Sequence, residues 1–350
     1  MSTRSYFRKL AEGHENGPLA YALTPVLEAA SACYGVVNGT IRGLYESKIL
    51  RRTKLPFPVI SVGNLTWGGA GKTPFVEYLV RRISERQRTP LILTRGYSHD
   101  EVEQFKAHLP KVVIGVGKDR VKTALEEAAK QKIDVAVLDD GLQHWPIERN
   151  FEIVMVNALN PFGNRRLIPR GVLREPVSML KKADMVVLFH VNLISKKSLE
   201  SLKQEIRNAA PKVPMVEACL EPLFFYRARK KARVPLEKLQ NQKVTTFSAV
   251  GVPRSFQLLL ASNKIKPVRN FEFTDHHVFS KNELDEIKTV SDSVSATDIV
   301  TTEKDYYRCS EMLASTINPL VLATRLRIAS GEEHFMRTLY QILEGRYNPK

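Results

Sequence analysis

The run Thr66-Trp67-Gly68-Gly69-Ala70-Gly71-Lys72-Thr73 sets three glycines, a lysine and a hydroxyl directly after an apolar run, Pro58 to Val62, and directly before a helical pattern beginning at Pro74. Glycines let backbone close around phosphate oxygens with successive N–H groups pointing inward, and the helix that follows adds the positive end of its dipole. In such a phosphate loop Lys72 reaches the β and γ phosphates of ATP, and the Thr73 hydroxyl ligates Mg²⁺. Residues 66–73 are read as the nucleotide-binding segment. Thr66 stands where the general pattern GxxxxGK[ST] has glycine, and the pair Gly68-Gly69 is read as supplying that flexibility. The bland alternative is a chance glycine-rich turn before a helix. Phosphoryl transfer with a metal also needs a carboxylate at a neighbouring strand end. Asp139-Asp140-Gly141, closing the apolar run Asp134 to Leu138, has that form, with Gln143 and His144 following at once. The same string is also a common turn.

These groups must be held by a scaffold. Pro58 to Val62, Leu91 to Thr94, Lys111 to Val116, Asp134 to Leu138, Glu152 to Val156 and Asp184 to Phe189 are short, nearly continuous apolar runs, as expected of strands buried on both faces. Helical patterns lie between several of them, for example Pro74 to Gln87 and Arg120 to Lys132. The alternation predicts an α/β fold, a P-loop NTPase-like, doubly wound, mostly parallel sheet, and ligands of such sheets bind outside the carboxyl ends of the strands. Basic charge rises after Pro222, and a new strand (Lys243 to Ser248) and helix (Arg254 to Ala261) follow. The expected division is therefore a core domain over 55–222, a second, smaller α/β domain over 223–325, and a C-terminal helix within 326–350 that returns to the core.

Residues 1–54 differ. Leu19 to Val37 is apolar, yet Thr24, Glu28, Ser31 and Asn38 recur near the helical repeat, and Arg42, Lys48, Arg51, Arg52 and Lys54 follow. An N-terminal amphipathic helix lying at a membrane surface has this pattern, because basic side chains near anionic headgroups gain roughly 1 kcal/mol each. A helix packing its apolar face on the protein's own core has it too, and both readings stay open; a cleaved signal peptide fits less well. The 350 residues are 43% hydrophobic and 26% charged, which excludes disorder and a polytopic membrane protein. A net charge of +16 favours an anionic partner without choosing among phosphorylated metabolites, acidic lipid and nucleic acid. Cys33, Cys219 and Cys309 are scattered and odd in number, which argues against a disulfide framework and for a reducing, cytoplasmic compartment.

Taken in order, Asn64, Gly68 to Pro74, Arg95-Gly96-Tyr97, Asp139 to His144, Phe162 to Pro169, Leu173-Arg174-Glu175-Pro176, Asp275-His276-His277 and Thr301 to Asp305 resemble the tetraacyldisaccharide 4′-kinases, the lipid A 4′-kinases of Gram-negative envelopes. The resemblance runs from about residue 19 to 345. It implies a peripheral enzyme at the cytoplasmic face of the bacterial inner membrane that uses ATP and Mg²⁺ to phosphorylate the 4′-hydroxyl of a tetraacylated glucosamine disaccharide 1-phosphate, the lipid A precursor. It implies Lys72 as a catalytic residue with Asp100 as base and His276 as its partner, and Thr73, Asp139, Asp140 and Glu101 around the metal. Asn64, Arg95, Tyr97, Arg120, Gln143, His144 and Arg174 map to the substrate cleft. His99 stands where the family has glycine, and the stretch from Tyr97 to Asp100 is shorter than the family's.

The alternative is a soluble P-loop ATPase or small-metabolite kinase whose charge serves solubility. A nucleic-acid-binding module is not expected, since no aromatic and basic recognition motif occurs. Thr301 to Asp305 invites comparison with a guanine-reading NKxD string, but Lys304 and Asp305 are adjacent, so guanine specificity is not expected either.

Overall fold

A computed structural model describes residues 3–13, 17–96 and 99–347. The chain forms two compact units: residues 1–95, 111–218 and 328–350 make the first, and 96–110 with 219–327 make the second.

In the first unit the strands are β1 (Val59–Asn64), β2 (Pro90–Thr94), β3 (Val113–Val116), β4 (Val135–Asp139), β5 (Phe151–Asn157), β6 (Met185–Phe189) and the opening residues of β7 (Met215–Arg227). Their order is β7-β6-β5-β1-β4-β2-β3, parallel at every pairing. Strands β1, β2, β4, β5 and β6 are buried at every residue, which is why they read as unbroken apolar runs rather than as alternation. The chain leaves β1 for β2, later returns to insert β4 between them, then places β5 on the other side of β1. The direction of winding therefore reverses about β1, and a crevice opens at the carboxyl ends there. In register, Val62 lies opposite Asp139 on one side and Ile153 on the other.

Directly after the glycine loop comes the helix Lys72–Ser84, whose Phe75, Val76, Leu79, Val80 and Ile83 are fully buried. No side chain caps it, a loss of about 1 kcal/mol. Five buried apolar side chains at about 1.5–3 kcal/mol each outweigh that easily. The helix Glu332–Leu343 backs it: the Phe335 ring lies 5.7 Å from that of Phe75 and 6.0 Å from that of Tyr78, and the Tyr78 hydroxyl donates to Glu332 at 2.7 Å.

The helix Pro18–Glu46 decides between the two readings of the N-terminal segment. Its polar stripe, not its apolar face, meets the protein: the buried Ser31 donates to the Leu167 carbonyl at 2.8 Å, and Asn38 donates to the Arg174 carbonyl at 3.1 Å. Leu19, Tyr21, Val26, Val36, Val37 and Ile41 are exposed, as are Lys48, Arg51, Arg52 and Lys54 beyond them. Packing of the apolar face on the chain's own core is thus corrected, because polar partners on the protein fix the other face inward.

The second unit carries β8 (Arg233–Val234), β9 (Val244–Ser248), β10 (Pro267–Glu272), β11 (Asp298–Thr302) and β12 (Leu320–Ser330), with β9 parallel to both β10 and β11, and β11 parallel to β12. Phe247, Phe279, Leu284, Ile287 and Leu313 fill one of its cores, and a capping box of Ser280 and Glu283 opens the helix Lys281–Ser293. The helix His99–His108 belongs here, although the sequence division had placed it within 55–222. Its Asp100 and the Arg308 of a distant helix explain the membership, as described below. The chain passes between units inside β7 and inside β12.

Candidate active site

Polar groups in the first unit collect where β1 and β4 end. Asn64, the last residue of β1, is fully buried; its side-chain amide donates to the Thr66 carbonyl at 2.8 Å and accepts from Lys72 Nζ at 2.9 Å. Between them the backbone turns through left-handed conformations at Gly68 (φ 69°), Gly69 (φ 61°) and Gly71 (φ 80°). Thr66 keeps an ordinary φ, so the strained turning falls on the glycines, and its hydroxyl accepts from Asn64 at 3.1 Å. Gly71 has a second constraint, because a Cβ there would sit 2.3 Å from the Phe189 ring. Gly71→Ala is expected to displace the loop and weaken nucleotide binding at least tenfold, which titration of a fluorescent ATP analogue would measure.

A carboxylate and two cations interlock above this loop. Asp140 takes both guanidinium branches of Arg174, at 2.9 and 2.7 Å, while Lys72 Nζ lies 3.3 Å from it. Burial alone would raise the Asp140 carboxyl, but Lys72 and Arg174 pull it well below the ordinary carboxylate range. Arg174 also donates to the Thr66 carbonyl at 3.1 Å and to the Asn64 side chain. Gln143 donates to the Asn64 carbonyl at 3.2 Å, and the buried Arg120 donates to the Asp140 carbonyl at 3.3 Å. Asp139, ending β4, is buried and accepts from Thr94 at 3.5 Å. Of the residues read from sequence, Asn64, Thr66, Lys72, Asp140, Gln143, Arg120 and Arg174 thus form one connected network. Thr73 sits in the first turn of the helix beside it, Arg95 is exposed at the end of β2, and Tyr97 lies outside the described residues.

Asp100, Glu101 and His276 come together in the second unit. Asp100 is 2% exposed, and Arg308 donates to its Oδ2 through Nη2 at 2.6 Å and Nε at 3.1 Å; His276 Nδ1 stands 3.6 Å from the same oxygen. Arg308 also donates to the fully buried Asp305 at 2.9 Å. Lys304 lies 3.7 Å from Glu101, 3.3 Å from Asp275 and 3.4 Å from His276 Nε2. Asp100 is therefore a buried carboxyl held in place by Arg308 beside an imidazole. Glu101, expected at the metal, has a lysine as its neighbour.

Arg308 was missed from sequence, as were Asn157 and His190. Asn157, at the end of β5, donates to the Gly69 carbonyl at 2.7 Å and accepts from the Leu159 N–H at 3.1 Å. His190 Nδ1 is 3.2 Å from the same Asn157 oxygen, so that nitrogen carries the proton and the amide is held facing the loop. The available signal was the one that revealed Asp139: a polar residue closing an unbroken apolar run.

Burial and then the cations Arg120 and Arg149 push the His144 imidazole down to about 4, and burial pushes His190 down to about 3. In the unfolded chain both take up protons near pH 6.5. The stability that depends on them is whole above pH 6.5 and is lost as pH falls toward those lower values, with about 2 kcal/mol gone by pH 5 for the buried His190 and less for the half-buried His144, whose charge water partly screens. Urea unfolding at pH 7.5 and pH 5 should show this loss, and His190→Gln should flatten it.

With the geometry in place, likeness to other proteins becomes informative. The model of the tetraacyldisaccharide-1-P 4′-kinase family matches residues 23–108 and 98–344. A probable mitochondrial tetraacyldisaccharide 4′-kinase of Arabidopsis thaliana is 36% identical, covering 95% of each chain, and a tetraacyldisaccharide 4′-kinase of Halothermothrix orenii is 31% identical, covering 81% of this chain and 83% of its own. Among solved structures, LpxK from Aquifex aeolicus in complex with ATP superimposes with a TM-score of 0.67 at 26% identity, over 93% of this chain and 99% of that one. A phosphate loop at the sheet's reversal point, in a chain matched nearly end to end, leaves one conclusion: the protein belongs to the tetraacyldisaccharide 4′-kinase family, the kinases of lipid A biosynthesis.

Proposed function

We propose that the chain binds ATP on the loop 66–73 and transfers its γ-phosphate to the 4′-hydroxyl of a tetraacylated glucosamine disaccharide 1-phosphate, working at the cytoplasmic face of the inner membrane. The observation that carries the chemistry is the convergence of Lys72, Arg174 and Asp140 on a glycine loop at the ends of β1 and β4. Loop amides and Lys72 hold the triphosphate, and Arg120 and Arg174 add positive charge around the transferred group. Asp100 accepts the sugar hydroxyl proton, with His276 orienting it.

The donor set fits Mg²⁺. Mg²⁺ is commonly held by one or two carboxylates together with substrate phosphates and water rather than by an all-protein cage. Asp139 and the Thr73 hydroxyl supply such a set, whereas Asp140 is engaged by Arg174 and Lys72. A metal held there would supply positive charge to offset that of the transferred phosphate. Glu101 is proposed as a further carboxylate of the metal region.

The exposed apolar face of the helix Pro18–Glu46, with exposed basic residues after it, supports seating on an anionic bilayer. Arg95, Tyr97, Gln143 and His144 are proposed to line the lipid-sugar cleft, His144 as a neutral hydrogen-bonding group. The test is transfer of labelled phosphate from ATP to purified disaccharide 1-phosphate lipid, alongside sedimentation with anionic vesicles. Transfer by the wild type, and vesicle binding lost in Val36→Asp/Val37→Asp, are expected. Hydrolysis of ATP without transfer would overturn the substrate assignment, and unchanged sedimentation would overturn the membrane assignment.

A further inference from the structure

The helix with the exposed apolar face is wired to the residue that clamps the phosphate loop. Arg174 presents its side chain to Asp140 and Thr66 and its backbone carbonyl to the helix. That carbonyl accepts two hydrogen bonds from helix side chains, from the Tyr34 hydroxyl at 3.1 Å and from Asn38 Nδ2 at 3.1 Å. The next residue, Glu175, is fully buried, and its carboxylate takes Asn38 Nδ2 at 2.8 Å on one oxygen and Arg42 Nη1 at 2.8 Å on the other. Tyr34, Asn38 and Arg42 recur at intervals of four, so one face of one helix makes all these bonds. The opposite side of the residue 174 backbone is tied too: the Arg174 N–H donates to the Leu65 carbonyl at 2.6 Å.

A merely adhesive contact would not require a fully buried carboxylate, which is costly to place unless paired on both oxygens. Here both pairings come from the helix. An arginine side chain is long and flexible, and fixing its backbone on two sides restricts where the guanidinium can reach. We propose that Tyr34, Asn38 and Glu175 are positioning residues that hold Arg174 on Asp140, making the apolar-faced helix a structural part of the nucleotide site as well as an anchor. The inference rests on the role given to Arg174 in the proposed function.

Tyr34→Phe and Asn38→Leu remove the two donors to the Arg174 carbonyl and the Asn38 bond to Glu175, which keeps Arg42, with little change of shape and none of charge. The pair should lower kcat for lipid phosphorylation about tenfold, the size expected when part of the net worth of three lost hydrogen bonds reaches the transition state. The KM for lipid and the fraction bound to vesicles should stay as in wild type, since neither residue lies on the exposed apolar face. The decisive readout is a double-mutant cycle against Arg174→Lys: if the two donors act through Arg174, adding them to Arg174→Lys costs little more. Additive losses, unchanged kcat, or a loss that follows vesicle binding would each overturn the proposal. Tyr34→Phe alone carries the same cycle if the double variant unfolds at the assay temperature. A wild type with no lipid transfer would instead overturn the proposed function.

Discussion

Lys72→Ala is expected to lower kcat for phosphoryl transfer by roughly 10² to 10³, the loss typical when one preorganised charge donor is removed from developing negative charge. The fold should survive. Asp140 keeps both bonds from Arg174, and Asn64 keeps Arg174 and Thr66 as partners, so no buried charge is stranded. Single-turnover transfer, with urea unfolding as the control, separates the two effects. A variant within threefold of wild-type turnover would remove Lys72 from the chemistry and leave the loop as a structural turn.

Asp100→Asn should lower kcat by about 10² to 10⁴, the range for loss of a general base, with ATP affinity unchanged. The asparagine is preferable to alanine. Asp100 shares Arg308 with Asp305, and stripping a partner from a buried ion pair costs about 3–5 kcal/mol when no other partner remains. Asparagine keeps an acceptor facing the guanidinium, and Asp305 still balances its charge. Arg308 also fixes the orientation of the Asp100 carboxyl through its two hydrogen bonds. Pre-steady-state transfer measures the chemical step, and equilibrium dialysis measures ATP binding. Equal losses of affinity and rate would reassign Asp100 to structure.

The phosphate loop was legible because everything that defines it is contiguous: strand, glycines, lysine and helix follow one another within residues 59–84. Asp139 and Asp140 were legible for a related reason, as the polar end of a fully buried parallel strand. Arg174 was reachable only through the family pattern, because its partners lie 34 and more than a hundred residues away. The Asp100–Arg308 pair spans 208 residues and has no spacing to read. The same pairing explains why residues 96–110 cluster with 219–327 when periodicity along the chain gave no boundary there. Composition alone could not orient the helix Pro18–Glu46 either. Ser31 and Asn38 settle its inward face through acceptors at residues 167 and 174.

Residues 328–347 belong to the unit that carries the phosphate loop, and the rings of Phe75 and Tyr78 behind that loop are covered by Phe335. During synthesis, then, the segment that supports the loop leaves the ribosome long after the loop itself. A nascent chain stalled near residue 218 should lack a finished nucleotide pocket, and fragments cut at the C-terminus should lose ATP retention before they lose secondary structure.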